Sequence, residues 1–172
     1  DIKIDTQVEL FPFHLNSNIT INKQNLNFII DELIFSLLNL KPSLLGNLNG
    51  EINLLLTNIE HELIRNGKIS LNISQKTISL SEVLFNISDI GQINSKIIYN
   101  EKDGDIIFNS SNSFLIKNKK NFAKKFQVKF DKVKDFNEIY FKIQKNINTG
   151  IISIFDIKIN KVEYKVEDNG IS

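Results

Sequence analysis

Ile69-Ser70-Leu71-Asn72-Ile73-Ser74 alternates apolar and polar side chains at every step. A period of two throws successive side chains to opposite faces of an extended strand, one greasy and one wet. The same alternation returns in Ile52-Asn53-Leu54, Thr77-Ile78-Ser79-Leu80, Phe126-Gln127-Val128-Lys129-Phe130 and Ile139-Tyr140-Phe141-Lys142-Ile143. All-parallel sheets are buried on both faces and read as unbroken apolar runs, so this pattern points to antiparallel pairing. The expected fold is mainly β: a large curved antiparallel meander sheet, a half-pipe or groove, in a single domain spanning 1–172.

The same pattern predicts strands near 2–10, 18–22, 48–58, 67–74, 76–81, 83–88, 92–100, 104–110, 112–117, 125–131, 137–145 and 150–160. Pro12 interrupts hydrogen bonding after the first strand, because proline donates no ladder hydrogen bond. Asn66-Gly67, Asp103-Gly104 and Thr149-Gly150 offer residues tolerant of positive φ and are expected as turns. Ile152 and Ile154 share one parity while Phe155, Ile157 and Ile159 share the other, so either a bulge near Ile154-Phe155 or cover on both faces is expected. The tail 167–172 is expected to fray.

One stretch has a different period. Ile30, Leu33, Ile34, Leu37 and Leu38 follow the i, i+3, i+4 spacing of an amphipathic helix. Asp31 suits the N-cap, and Pro42 and Gly46 close the segment, so a helix is expected near 31–45. A second short helix is expected near 118–125, capped by Asn118, with Phe122 and Phe126 on one face.

The chain's 172 residues suit one domain with a real core. Ile and Asn together supply close to a third of it, and Ala123 is the only alanine. The chain begins at Asp1 and contains no methionine, so it reads as an excerpt or a processed product of a longer protein. No window approaches the ~20 apolar residues that span a bilayer. The absence of cysteine excludes disulfides and thiolate metal sites. Net charge is +1 but uneven: residues 1–116 carry −5, residues 117–145 carry +7 and residues 146–172 carry −1.

The residues that usually carry chemistry are scattered. His61-Glu62-Leu63-Ile64-Arg65 has Arg65 where a zinc-protease helix needs its second histidine, and His14 stands alone. Asp103-Gly104-Asp105 lacks the further oxygens of a calcium loop. No Gly-rich phosphate loop and no nucleophile elbow occurs. Four Asn-x-Ser/Thr sequons, at Asn18, Asn72, Asn86 and Asn109, are no more than such an Asn-rich chain produces by chance. No catalytic residue, metal or cofactor is expected. The lysines Lys117, Lys119, Lys120, Lys124 and Lys125 are candidates for contact with an anionic membrane surface. Nucleic acid is the less favoured partner, because Arg65 is the chain's only arginine and phosphate and base readers are arginine-rich.

The run from Ser36 to Leu54, with Leu44-Leu45-Gly46-Asn47-Leu48-Asn49-Gly50 inside it, resembles a passage of the AsmA-like and TamB-like envelope proteins of Gram-negative bacteria. In them a short amphipathic helix and a Leu-Leu-Gly turn lead into a long alternating strand. The hairpin succession Ile69–Ile87 and Ile93–Phe108, Gly91-Gln92-Ile93, and Asn121-Phe122-Ala123-Lys124-Lys125-Phe126-Gln127 are similar to divergent members. The Asn and Lys excess and the basic insert depart from the family pattern. The resemblance implies a non-enzymatic β-groove segment, anchored to the inner membrane through another part of the chain and extending through the periplasm. Such grooves conduct phospholipid acyl chains toward the outer membrane, support its assembly, and stack against other segments of the same chain. Burial of acyl methylenes at roughly 0.8 kcal/mol each would hold a lipid on an apolar lining. The expected lining is Ile52, Leu54, Leu56, Ile69, Leu71, Ile73, Ile78, Leu80, Phe85 and Ile87. The competing expectation is a structural or adhesive β-domain of a cell-surface protein, with a sealed core.

Overall fold

The alternating segments become ten strands that hydrogen-bond in sequence order into one open sheet: β1 (Ile2–Leu10), β2 (Phe13–Asn22), β3 (Asn49–Thr57), β4 (Ile64–Ser74), β5 (Thr77–Ile87), β6 (Gly91–Lys102), β7 (Asp105–Ile116), β8 (Glu138–Asn146), β9 (Ile152–Ile159) and β10 (Val162–Tyr164). This computed structural model describes residues 1–11, 13–29, 49–74, 77–102, 105–146, 148–164, 166–167 and 170–171. Among the described residues three short helical turns accompany the sheet: α1 (Leu26–Phe28), α2 (Lys119–Lys125) and α3 (Phe130–Val133). Where the tail 167–172 is expected to fray, β12 (Gly170–Ile171) instead pairs with β11 (Val166–Glu167) in a separate two-stranded ladder. The expected helix near 31–45, Pro12 and the expected Asp103-Gly104 turn lie outside the described residues; Lys102 pairs with Asp105.

The large, mainly antiparallel meander expected from the alternation is the fold found, with one departure. β2 and β3 run parallel, His14 opposite Asn49 through Asn22 opposite Thr57. A parallel neighbour requires the chain to return to the starting end of the sheet, and residues 23–48 make that crossover. α1 opens it, capped by Asn25, whose side chain accepts a hydrogen bond from Asn27 N (2.8 Å).

Several strand boundaries differ from expectation, each for a local reason. The segments 76–81 and 83–88 form one strand, β5. Its inward parity switches between Leu80 and Val83 because Ser81 is an extra residue: Leu71 faces Leu80 while Ser70 faces Glu82. A bulge, not a turn, makes the phase change. The segments 104–110 and 112–117 are likewise one strand, β7, whose central Ser110 and Asn112 merely put polar side chains on the apolar face. Asn66-Gly67 is no turn but the interior of β4. Gly67 faces Phe85, whose ring would lie 2.4 Å from a Cβ at position 67. The phase break in β9 is a bulge at Asp156 (φ +57°), two residues opposing Phe141.

The expected strand 125–131 is absent. α2 ends in a left-handed residue, Gln127 (φ +54°), and Val128 N donates to Ala123 O (3.0 Å), the closing hydrogen bond of a Schellman motif. The Phe126, Val128, Phe130 alternation therefore belongs to a helix stop and the start of α3. The Thr149-Gly150 turn is found, with Gly150 at φ +73°. A tight hairpin through Asn160 (φ +52°) and Lys161 (φ +71°) adds β10.

Directly paired residues share a face, so the ladder maps the apolar side. Ile4, Ile19, Leu54, Ile69 and Val83 stand abreast and continue as Ser95, Asn112 and Phe141. Ile52, Leu71, Leu80, Ile97, Ser110, Ile143 and Ile154 form the next row. One hydrophobic cluster joins Ile21, Leu54, Leu56, Ile69, Leu71, Ile73, Leu80, Val83 and Tyr99 of the sheet to Leu26, Ile29 and Ile59. A second, at the opposite end of the strands, joins Ile87, Ile90, Phe114 and Ile116 to Phe122, Ala123 and Val133 of the two helical turns.

Candidate functional site

The sheet register brings the expected groove residues together. Ile52, Leu54, Leu56, Ile69, Leu71, Ile73, Leu80, Phe85 and Ile87 all project from the apolar face, and the backbone of Ile78 pairs there with Ile73. They form core, however, more than lining. Leu56 and Leu71 are 0% exposed, Leu54, Ile69, Ile73, Leu80 and Ile87 are buried, and only Ile52 and Phe85 are half-buried. Alternation reports a shared face. What covers that face depends on segments distant in sequence.

The same face is open at its margins. On β1, Ile2, Ile4, Val8 and Leu10 are 50–66% exposed although they are paired with Ile21, Ile19, Leu15 and Phe13. On β9, Ile152 and Ile154 are 58% and 52% exposed. Phe141 and Ile143 of β8 are half-buried between this margin and the core. Sequence reading missed these residues because their alternation equals that of the core strands.

A polar seam crosses the face. Ser95, Ser110 and Asn112 are buried, and Asn112 Nδ2 donates to Ser110 Oγ (3.0 Å) and to Phe141 O (3.3 Å). Among the described residues no buried side-chain polar atom lacks a partner. The seam is thus internally satisfied.

The five candidate lysines surround α2. Asn118 caps it as expected, its side chain accepting from Asn121 N (3.1 Å), and Phe122 stacks at 4.8 Å from Phe126 and 5.6 Å from Phe114. Those rings fix the turn on the sheet and leave Lys117, Lys120 and Lys124 exposed, with Lys119 half-buried. Lys125 pairs with Glu62, and its ammonium holds that carboxyl below the usual carboxylate range. Phe126, Val128 and Phe130 are exposed on the turn that follows, among Lys124, Lys129 and Lys132. The fold adds Arg65, which sequence reading left aside: it lines a surface cleft of about 500 Å³ together with Lys117, Asp89 and Ser88. An adjoining cleft of about 520 Å³ is lined by Lys124, Lys125, Glu62 and Asp89. Cations and acids are mixed there, and the clefts are open to solvent.

Both histidines make local hydrogen bonds. His61 Nδ1 accepts from Leu63 N (3.2 Å) and Ile64 N (3.1 Å), which holds the bend before β4. His14 Nε2 lies 3.1 Å from Asn16 Oδ1. Among the described residues no group of three His, Asp or Glu side chains could hold a metal ion, and no helix is long and apolar enough to cross a membrane. Comparison with protein families, with curated proteins and with solved structures finds nothing that matches this chain.

Proposed function

We propose that this chain is a non-enzymatic lipid-contacting segment of an AsmA-like bacterial envelope protein. Phospholipid acyl chains lie along the uncovered margins of the apolar sheet face, and the lysine-rich end around α2 meets anionic headgroups. The proposed setting is the periplasm, between an inner-membrane anchor carried elsewhere in the protein and the outer membrane whose assembly it supports. The observation that carries this is the mismatch between core and face: the apolar rows run on past the buried centre to β1 and β9, where Ile4 is 63% and Ile154 52% exposed. An aliphatic patch of this kind on a sheet is costly in water and favours an apolar partner. Phe126, Val128 and Phe130 beside exposed lysines have the composition of an interfacial contact, apolar tips with cationic neighbours.

Native mass spectrometry after purification without detergent tests the proposal. Phospholipid adducts are expected on the chain, reduced by the pair Ile4→Ser and Ile154→Ser; protein free of lipid from cells rich in phospholipid would count decisively against it. The complete burial of Leu56 and Leu71 favours a second reading, a structural β-domain whose centre is sealed. In that case a hydrophobic dye fails to bind the folded chain, and the two serine substitutions leave every binding signal unchanged.

A further inference from the structure

β1 ends the strand order, and among the described residues it pairs on one side only, with β2. Asp1 and Asn22 exchange both backbone hydrogen bonds: Asp1 N donates to Asn22 O (2.9 Å) and Asn22 N donates to Asp1 O (2.8 Å). Antiparallel ladders alternate such bonded pairs with unbonded ones. Odd residues of β1 therefore turn their peptide groups toward β2. The even residues Ile2, Ile4, Thr6, Val8 and Leu10 turn theirs outward, to the open edge. We propose that this edge pairs with β1 of a second copy, antiparallel about a two-fold axis at Thr6, joining two sheets into one.

The second copy is the occupant because the edge is complementary to itself. With Thr6 opposite Thr6, Ile2 meets Leu10, Ile4 meets Val8 and Lys3 meets Glu9, each twice across the axis. Even residues meet even residues, so the outward N–H and C=O rows match, with about ten hydrogen bonds. The apolar pairs fall on the face that already carries Ile19 and Ile21, and the two Lys3–Glu9 pairs fall on the polar face as opposite charges directly across. Neighbouring registers fail. A slide of two residues one way sets Asp5 against Asp5, and the other way sets Asp5 against Glu9. A slide of one residue turns apolar side chains onto the polar face. Only backbone is consumed at such a junction. The apolar rows of both copies run on across it, whether or not they carry lipid.

The chain has no cysteine, so Thr6→Cys places a single thiol at the axis, where bonded-pair spacing of ~5.5 Å between Cα atoms lies within disulfide range. Mild oxidation is expected to give a disulfide-linked dimer from Thr6→Cys and none from Lys96→Cys, which sits exposed on the polar face at mid-sheet. Sedimentation is expected to show a concentration-dependent dimer, weakened roughly tenfold or more by Lys3→Glu, which sets two like charges against Glu9. Combining Lys3→Glu with Glu9→Lys is expected to restore it. A monomer at every concentration overturns the proposal. So does a dimer indifferent to Lys3→Glu, or equal cross-linking at the two cysteine positions. Circular dichroism confirms that each of these exposed-site variants keeps its strands.

Discussion

Gly67 stands where the sheet needs the absence of a side chain. Phe85 lies across it, with Cδ1 2.4 Å and Cε1 2.8 Å from where a Cβ would be. Gly67→Ala is therefore expected to cost about 1–3 kcal/mol in denaturant unfolding, as overpacking does, and Phe85→Leu in the same chain should recover part of the loss. A glycine after asparagine looks like a turn in sequence because both residues tolerate positive φ. The alternative use, a space left for a ring from the next strand, has no local signature. Asp156 is a second such residue. It sits at the β9 bulge and accepts from Lys142 (2.7 Å) and Lys158 (3.1 Å). The hydrogen bond from Lys142, then that from Lys158, holds its carboxyl below the ordinary carboxylate range. The native state thus takes up this proton less readily than the unfolded chain. Its contribution is present above the ordinary carboxylate range and is lost as pH falls through the depressed native value. Asp156→Asn is expected to flatten the acid limb of the stability–pH curve and to leave stability above that range insensitive to pH, in urea titrations at stepped pH. High salt should shrink the effect, since the pair is solvent-accessible.

At the scale of elements, two rules with the same outward sign compete. A change of apolar parity marks either a turn between strands or a bulge within one. In β5 it is the bulge at Ser81, whose Oγ donates to Ser70 O (3.3 Å), flanked by the Lys68–Glu82 pair at 2.8 Å. Glu82 in turn holds the Lys68 ammonium above its ordinary value. Parity alone does not separate the two, because a bulge conserves the facing of every other residue in the strand. The 125–131 segment shows the converse failure. Its alternation is real, yet the backbone hydrogen bonds close a helix instead, since Phe122 buries against Phe114 and half-exposed Phe126 meets both rings only in helical geometry. Gln127 bears the left-handed conformation there without being glycine. Gln127→Gly is expected to stabilise the chain by about 1 kcal/mol, measured as a raised thermal midpoint, by removing the strain of a side chain at positive φ. The short helix, its Asn118 cap and its Phe122–Phe126 face were readable from sequence because all three are contacts within one or two turns.

For the whole molecule, core and margin are built from the same residue types but carry different consequences. Leu71, 0% exposed at the centre of the larger cluster, is expected to lose about 2–5 kcal/mol on Leu71→Ala, enough to shift the denaturant midpoint sharply. Ile154→Ser at the open margin should leave that midpoint nearly unchanged. The contrast locates what the fold needs and what the surface offers. Period-two alternation was enough to make this chain a sheet of many strands with one apolar face, because side-chain direction along a strand follows from backbone geometry alone. Only the way distant segments meet makes β2 and β3 run parallel, lets Gly67 house a ring, sets Arg65 and Lys117 around one cleft, and buries the middle of the face while β1 and β9 stay open. Each of those depends on which distant segments meet, and a local pattern is the same whether its face is covered or bare.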